Sequence, residues 1–327
     1  METENPSAIR KAPRLALIAP CFNEEAVLGM TIPRLCGRLR ELEDNGTIAK
    51  GSFVLLVDDG SRDSTWRIIS AAHARDPAIR GLKLSRNFGH QAALCAGLSW
   101  CTHRCDCAIS IDADLQQDDA AIAAFIDEYR RGSEIVYGVR ADRGTDSAFK
   151  SLTARAFYAL MRLQGVPIIP NHADYRLMSG KALEVLGEFT EGNLFLRGII
   201  AQEIGLKTSQ VIFEVHERAA GATKYSLRRM LSFALNGITS FSVAPLRLVT
   251  AVGIVFTMFS MLMAGYVLIQ ALVLDRAVPG WASTVLPIYV IGGVQLTSIG
   301  IIGEYVGRIY REVKRRPRFI IEEQLGD

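Results

Sequence analysis

Three groups of polar residues have types and spacing suited to chemistry on a phosphorylated ligand. The first is Pro20, Cys21, Phe22, Asn23, Glu24 and Glu25. The second is Asp58, Asp59, Gly60 and Ser61, with Asp63, Ser64 and Thr65 behind it. The third is Asp112, Ala113, Asp114, Leu115 and Gln116. An aromatic ring beside carboxylates can stack on a base while the carboxylates bind ribose hydroxyls. Aspartates in an Asp-x-Asp pair can grip a hard divalent cation, Mg2+ or Mn2+, that keeps its waters and bridges two phosphates. Each group alone has a plainer reading: Asp-x-Asp as a solvated loop, Asp59-Gly60 as a turn, Asp63 to Thr65 as a helix cap. Turns alone do not explain why all three follow apolar runs.

Those runs are the elements that must position the groups. Leu15–Ala19, Phe53–Asp58, Gly81–Leu84 and Ala108–Asp112 read as short buried strands of the parallel type. Helical patterns lie between and after them, near Ala26–Leu42, Thr65–Arg75, Gln91–Trp100 and Ala120–Arg131. The alternation predicts an α/β fold with a mainly parallel sheet flanked by helices, in which ligands collect outside the carboxyl ends of the strands. There is no Gly-x-Gly-x-x-Gly after the first strand and no phosphate-binding loop ending in Lys-Ser/Thr, which disfavours dinucleotide redox enzymes and phosphate-loop NTPases.

The mean hydropathy of +0.19 is high for a soluble chain with 22% charged residues. The apolar excess sits beyond Val243. Leu248–Leu274 and Ser283–Gly303 carry no charge and are each long enough to cross a bilayer, which takes about 20 residues. Asp275, Arg276, Pro279, Gly280 and Trp281 form the link between them. A transmembrane hairpin follows, with Leu227, Met230, Leu231, Ala234, Ile238 and Phe241 before it forming an amphipathic helix at the interface. Arg228, Arg229 and Arg247 precede the first span; Arg308, Arg311, Lys314, Arg315, Arg316 and Arg318 follow the second. By the positive-inside rule both ends are cytoplasmic. The expected organisation is a catalytic domain over 1–224, an interface helix over 225–243, a hairpin over 244–307 and a basic tail over 308–327.

The net charge of +3 is no argument for nucleic acid. The first apolar run is too short for an export signal, so the six cysteines are expected to be reduced. Cys101, His103, Cys105 and Cys107 resemble metal-ligand spacing but lack a second knuckle, and read more simply as free thiols in a loop.

At these residues the sequence resembles the family 2 glycosyltransferases of the GT-A fold. The likeness is greatest to the bacterial polyisoprenyl-phosphate sugar transferases with a C-terminal membrane hairpin. It rests on Pro20–Glu24, Val57–Thr65, Ser85–His90, Asp112–Gln116, Tyr137–Arg140, Asp174–Met178, Arg218–Tyr225 and Gly303–Arg318. The resemblance implies that Pro20, Phe22, Glu24 and Asp58 hold the nucleoside. Asp112, Asp114 and Gln116 would surround the metal and the donor diphosphate, with Asp114 and Asp174 the catalytic carboxylates. Arg140, Arg143 and Lys150 would meet the acceptor phosphate, and Lys224 the donor phosphates. As plainer readings, Arg140, Arg143 and Lys150 make a solvated basic loop and Asp174 a helix cap or ion-pair partner.

The implied activity is inverting transfer of a sugar, first choice glucose from UDP-glucose, to undecaprenyl phosphate at the cytoplasmic face of a bacterial inner membrane. Mannose or a modified aminoarabinose is the alternative sugar. A non-catalytic partner of a lipid-sugar flippase is the alternative class. A phosphomonoester acceptor, with a second pKa of about 6, is already largely ionised at neutral pH. Asp174 is therefore expected to position the acceptor or a cation before it acts as a base. Related hairpin enzymes imply a homo-oligomer such as a tetramer.

Overall fold

The computed structural model describes residues 9–114, 116–141, 172–189, 204–214 and 281–326, with isolated positions among 196–200 and 253–262. The chain begins as the periodicity predicts. Strand β1 (Leu15–Cys21), helix α1 (Glu25–Asp44), β2 (Phe53–Asp58), α2 (Thr65–Arg75), β3 (Ile79–Leu84), α3 (His90–Cys101) and β4 (Cys107–Ser110) follow in order. A 3-10 turn at Asp119–Ala121 leads into α4 (Ile122–Arg130). Then come β5 (Ile135–Arg140), β6 (His172–Ser179), α5 (Gly180–Glu188), β7 (Thr208–Phe213), α6 (Trp281–Val313) and β8 (Ile321–Leu325).

The strands form one sheet in the order β7-β5-β6-β4-β1-β2-β3-β8. Pairing is parallel among β4, β1, β2 and β3 and between β5 and β7. It is antiparallel for β4–β6, β5–β6 and β3–β8. The expected mainly parallel sheet is thus a mixed one. The first four strands are joined by helical crossovers, which parallel pairing needs, whereas β6 runs antiparallel to both β4 and β5 and β8 antiparallel to β3.

Alternation along β1 shows how the layers are built. Leu15, Leu17, Ala19 and Cys21 pack with α1, α2 and α4, while Ala16 and Ile18 pack with α3 and α5. Both faces are covered, so a continuous apolar strand is the stable solution. The order β4-β1-β2-β3 means that the chain winds outward from β1 through β3, then crosses back to β4 on its other side. That reversal between β1 and β4 is the topological switch point, where the ends of adjacent strands part and leave room for a ligand.

The second apolar stretch falls inside α6, a helix of 33 residues. Many of its side chains, and nearly all of 248–274, lie outside the described residues. Among the described residues no helix is long and apolar enough to cross a membrane. The hairpin expected from the sequence therefore has no support in the fold, and the interface helix over 225–243 lies outside the described residues altogether. The basic tail has more structure than expected, since it ends in β8, antiparallel to the edge strand β3.

Candidate active site

Two of the three polar groups are built into a single surface by reciprocal bonds across β1 and β2. Asp59 N–H donates to the Cys21 carbonyl at 2.9 Å. Asn23 N–H donates to Ser61 Oγ at 2.9 Å, and Arg62 N–H returns to Asn23 Oδ1 at 2.9 Å. Glu24 N–H donates to Thr65 Oγ1 at 2.9 Å, Glu25 N–H to Asp63 Oδ2 at 3.2 Å, and Ser64 N–H to Glu25 Oε2 at 3.0 Å. Asn23, Ser61, Asp63 and Thr65 thus shape the loops. Phe22 is exposed, and Pro20 and Glu24 are half-buried beside it.

Asp58 and Asp59 divide the work in that surface. Asp58 is fully buried; its Oδ1 accepts Ser61 N–H at 3.1 Å, and its Oδ2 has no hydrogen-bond partner among the described residues. Burial pushes its carboxyl up, against the hydrogen bonds from Ser61. An orphaned buried acceptor at a strand end is a place for a ligand donor group. Asp59 instead accepts Phe88 N–H and Gly89 N–H at 2.7 and 2.8 Å, fixing the loop that opens α3. Gly60 lies under that loop at φ +66, where an added Cβ would meet the Arg86 carbonyl carbon at 2.4 Å.

The third group follows β4. The strand ends at Ser110, two residues sooner than the sequence suggests, so Asp112 and Asp114 sit on the loop beyond it rather than on the strand. Ala113 is pinned by Thr31 of α1, whose Oγ1 donates to its carbonyl at 2.7 Å. Asp119 is gripped by Arg34 and Arg38 of the same helix, and Tyr175 Oη donates to the Asp118 carbonyl at 3.0 Å. Asp114 Oδ1 accepts Gln116 N–H at 3.1 Å. Burial pushes the Asp112 carboxyl up; His90 and Arg140 oppose this, and Asp114 and Asp174 add to it.

Asp174 reaches the same place from β6. Ser110 Oγ donates to its carbonyl, and Arg176 Nη2 donates to its Oδ1 at 2.6 Å. Gln91 Nε2 lies 3.5 Å and His90 Nε2 3.7 Å from its Oδ2. Arg176 is 1% exposed and is the largest fully buried side chain among the described residues. The plain reading of Asp174 as an ion-pair partner is therefore correct as far as it goes, and the pair stands beside the Asp-x-Asp loop. Arg140 ends β5 next to it and is exposed.

The structure thus brings Asp112, Asp114, Gln116, Asp174 and Arg140 to one end of the sheet, next to the surface carrying Pro20, Phe22, Glu24 and Asp58. Arg143, Lys150 and Lys224 lie outside the described residues. Sequence reasoning read Asp59 with Gly60 as a turn within the second polar group and assigned no role to His90, Gln91, Gln117 and Arg176. His90 closes a segment quoted for the family likeness and Arg176 lies inside another, but only the approach of both to Asp174 in the fold shows what they face.

No group of three His, Cys, Asp or Glu among the described residues is arranged to hold a metal by itself. Asp112 and Asp114 nevertheless offer a crowded pair of hard oxygen donors. That suits Mg2+ or Mn2+, which take one or two carboxylates and fill their other positions with water and substrate phosphates. The Cys-rich stretch does not suit a metal. Cys101 packs on the α3 side of the sheet and Cys107 on the α1 side, and exposed His103 pairs with Glu184 at 3.2 Å. A cavity of about 460 Å³ lined by Cys36, Arg40, Arg75 and Asp76 contains none of the predicted site residues.

Comparison with known proteins agrees with this geometry. Residues 16–187 match the family model for glycosyl transferase family 2. The glycosyltransferase YkoT of Bacillus subtilis (strain 168) is 50% identical over 313 residues, covering 96% of this chain and 92% of that protein. The bactoprenol glucosyl transferase of Shigella phage SfX is 38% identical over 312 residues, covering 95% and 99%. Glucosyl-3-phosphoglycerate synthase from Mycobacterium tuberculosis, solved with UDP, superposes with a TM-score of 0.48 at 17% identity, over 71% of this chain and 79% of that one; so loose a likeness adds nothing to the assignment. A family match over residues 16–187, joined to relatives alike over nearly the whole chain, makes the chain a glycosyltransferase belonging to glycosyl transferase family 2.

Proposed function

We propose that this glycosyltransferase moves a sugar, first choice glucose from UDP-glucose, onto a polyisoprenyl phosphate such as undecaprenyl phosphate, with inversion at the anomeric carbon. The observation that carries the reading is the convergence of Asp112, Asp114 and Asp174 with His90 and Arg140 at the switch point of the sheet. The bactoprenol glucosyl transferase relatives, 37–38% identical over at least 94% of this chain, support the lipid acceptor.

In this reading Phe22 stacks on the base, with Pro20 beside it, and Glu24 and the orphaned oxygen of Asp58 take donor groups of the nucleoside. Asp112 and Asp114, with Gln116, hold a divalent cation, which when bound neutralises the charge that develops on the leaving diphosphate. Lys224 adds to that neutralisation. The acceptor phosphate meets Arg140, Arg143 and Lys150, and arrives ionised. Asp174 therefore needs no proton: held by Arg176, it orients what lies between it and the Asp-x-Asp loop. Bringing two anions together is the main cost, and fixed positive charge is the remedy.

The proposed setting is the cytoplasmic face of a bacterial inner membrane, with a hairpin over 244–307 and an interface helix over 225–243. The uncharged stretches 248–274 and 283–303 support it. Strand β8 after α6 pairs with β3, which fits an even number of crossings between the catalytic domain and its last strand. A homo-oligomer is part of the same proposal.

The test is transfer to undecaprenyl phosphate by the full chain in detergent, from UDP- and GDP-sugars, with Mg2+, Mn2+ or chelator. Cation-dependent transfer from one donor, lost in Asp114→Ala, is the expected result. A folded protein that binds no nucleotide would falsify the reading.

A further inference from the structure

We infer that Gln117 is a positioning residue that holds the Asp112 carboxylate in its cation-binding orientation. This rests on the reading that a divalent cation sits at Asp112 and Asp114. Gln117 is 3% exposed, and both ends of its amide are spent on one residue. Its Oε1 accepts Asp112 N–H at 3.0 Å, and its Nε2 donates to Asp112 Oδ2 at 2.6 Å. The amide can face only one way, because a backbone N–H needs the oxygen and a carboxylate needs the NH2.

The consequence concerns the Asp112 side chain. The terminal torsion of an aspartate is broad and twofold, so a free carboxylate samples many orientations. The amide of Gln117 removes that freedom by fixing one oxygen, leaving Oδ1 as the oxygen to be presented to a cation. Gln117 is itself held on both sides. Ala113 is tied to Thr31, Asp118 accepts from Tyr175, and Asp119 is gripped by Arg34 and Arg38. The loop is therefore set by α1 and β6 before any cation arrives. Groups that orient metal ligands in this way change metal affinity by about 10–100-fold when removed.

The test measures Mn2+ binding in the presence of UDP by the fall in the free-Mn2+ EPR signal. It uses the full chain in detergent with Gln117→Ala and the volume-filling Gln117→Leu. Both variants should weaken Mn2+ binding about 10-fold or more. Both should stay folded in chelator with a melting temperature lowered to a similar extent, because each leaves Asp112 N–H without its acceptor, and activity at saturating Mn2+ should return to within a few-fold of the parent chain. Unchanged Mn2+ affinity in both variants overturns the inference. So does recovery of full affinity by Gln117→Leu alone, because that assigns Gln117 to packing. A parent chain that binds no Mn2+ with UDP overturns the cation reading, and the inference with it.

Discussion

Charge at the switch point is arranged so that fixed groups neutralise one another in pairs, and Asp119 is where this has a measurable cost. Burial opposes its ionisation, but the hydrogen bond and charge of Arg34, helped by Arg38, hold its carboxyl below the ordinary value. A depressed carboxylate contributes stability above its unfolded pKa of about 3.9, and that stability is lost as pH falls through the lower folded value. Asp119→Asn should therefore cost about 1–2 kcal/mol at pH 7, toward the low side because Arg34 is 45% exposed and screened by water. Urea denaturation at pH 7 and pH 3 reads the outcome. A gap between parent and variant that stays constant across that range would remove the ion pair from the account. Asp112 and Asp58 run the other way: burial raises both. Burial makes their ionised forms costly, which is common for carboxylates that meet a cation or a ligand donor.

At the scale of elements, α3 is the piece whose exact seating matters. It carries His90 and Gln91 toward Asp174 from its first turn, and its middle lies unusually close to the sheet. A Cβ added at Gly97 would sit 2.5 Å from Ile18 Cγ2 and 3.1 Å from Val57 Cγ2. Gly97→Ala gains up to about 1 kcal/mol of helix propensity but must push the helix off β1 and β2. A net loss of about 1–2 kcal/mol is expected, together with weaker transfer as His90 and Gln91 move away from Asp174. A shifted urea midpoint and a lower kcat check this; a variant more stable than the parent would show that α3 has room to spare. The helix was legible in the sequence to within a residue at each end, because an apolar stripe is local information. The residues its N-terminus faces were not, because Asp174 of β6 lies 83 positions after Gln91.

The molecule as a whole is closed by its last strand. Ser85 N–H donates to the Ile320 carbonyl at 3.0 Å, and Lys83 pairs with Glu322 and Glu323 at 3.1 and 2.9 Å. Trp66 Nε1 donates to Glu323 at 3.1 Å, Phe319 packs on the α3-side core, and Arg318 donates to the Phe189 carbonyl. β8 thereby covers the β3 edge, which would otherwise be an open template for pairing with another chain. Truncation before Arg316 should lower the melting temperature and produce aggregates on size exclusion in detergent. A truncated chain that melts and elutes like the parent would mean that β8 is dispensable. Ser85 also begins the loop that Asp59 holds, so the same truncation is expected to weaken nucleotide binding.

What the sequence determined by itself was local: the period of the first four strands and their helices, and the polar groups that follow three of those strands. These were readable because periodicity, capping residues and Asp-x-Asp spacing are carried by neighbours in the chain. The family likeness added Asp174 and Arg140 to the site. Tertiary structure alone decided the rest. It turned β6 antiparallel to β4 and so set Asp174 beside Asp112, placed Cys101 and Cys107 on opposite faces of the sheet, and made the tail an edge strand. It also separated neighbours of one residue type: Gln116 stays near the Asp-x-Asp pair as a candidate ligand, while Gln117 turns inward to grip Asp112. Such outcomes depend on register and packing between distant segments, which no single stretch of chain encodes.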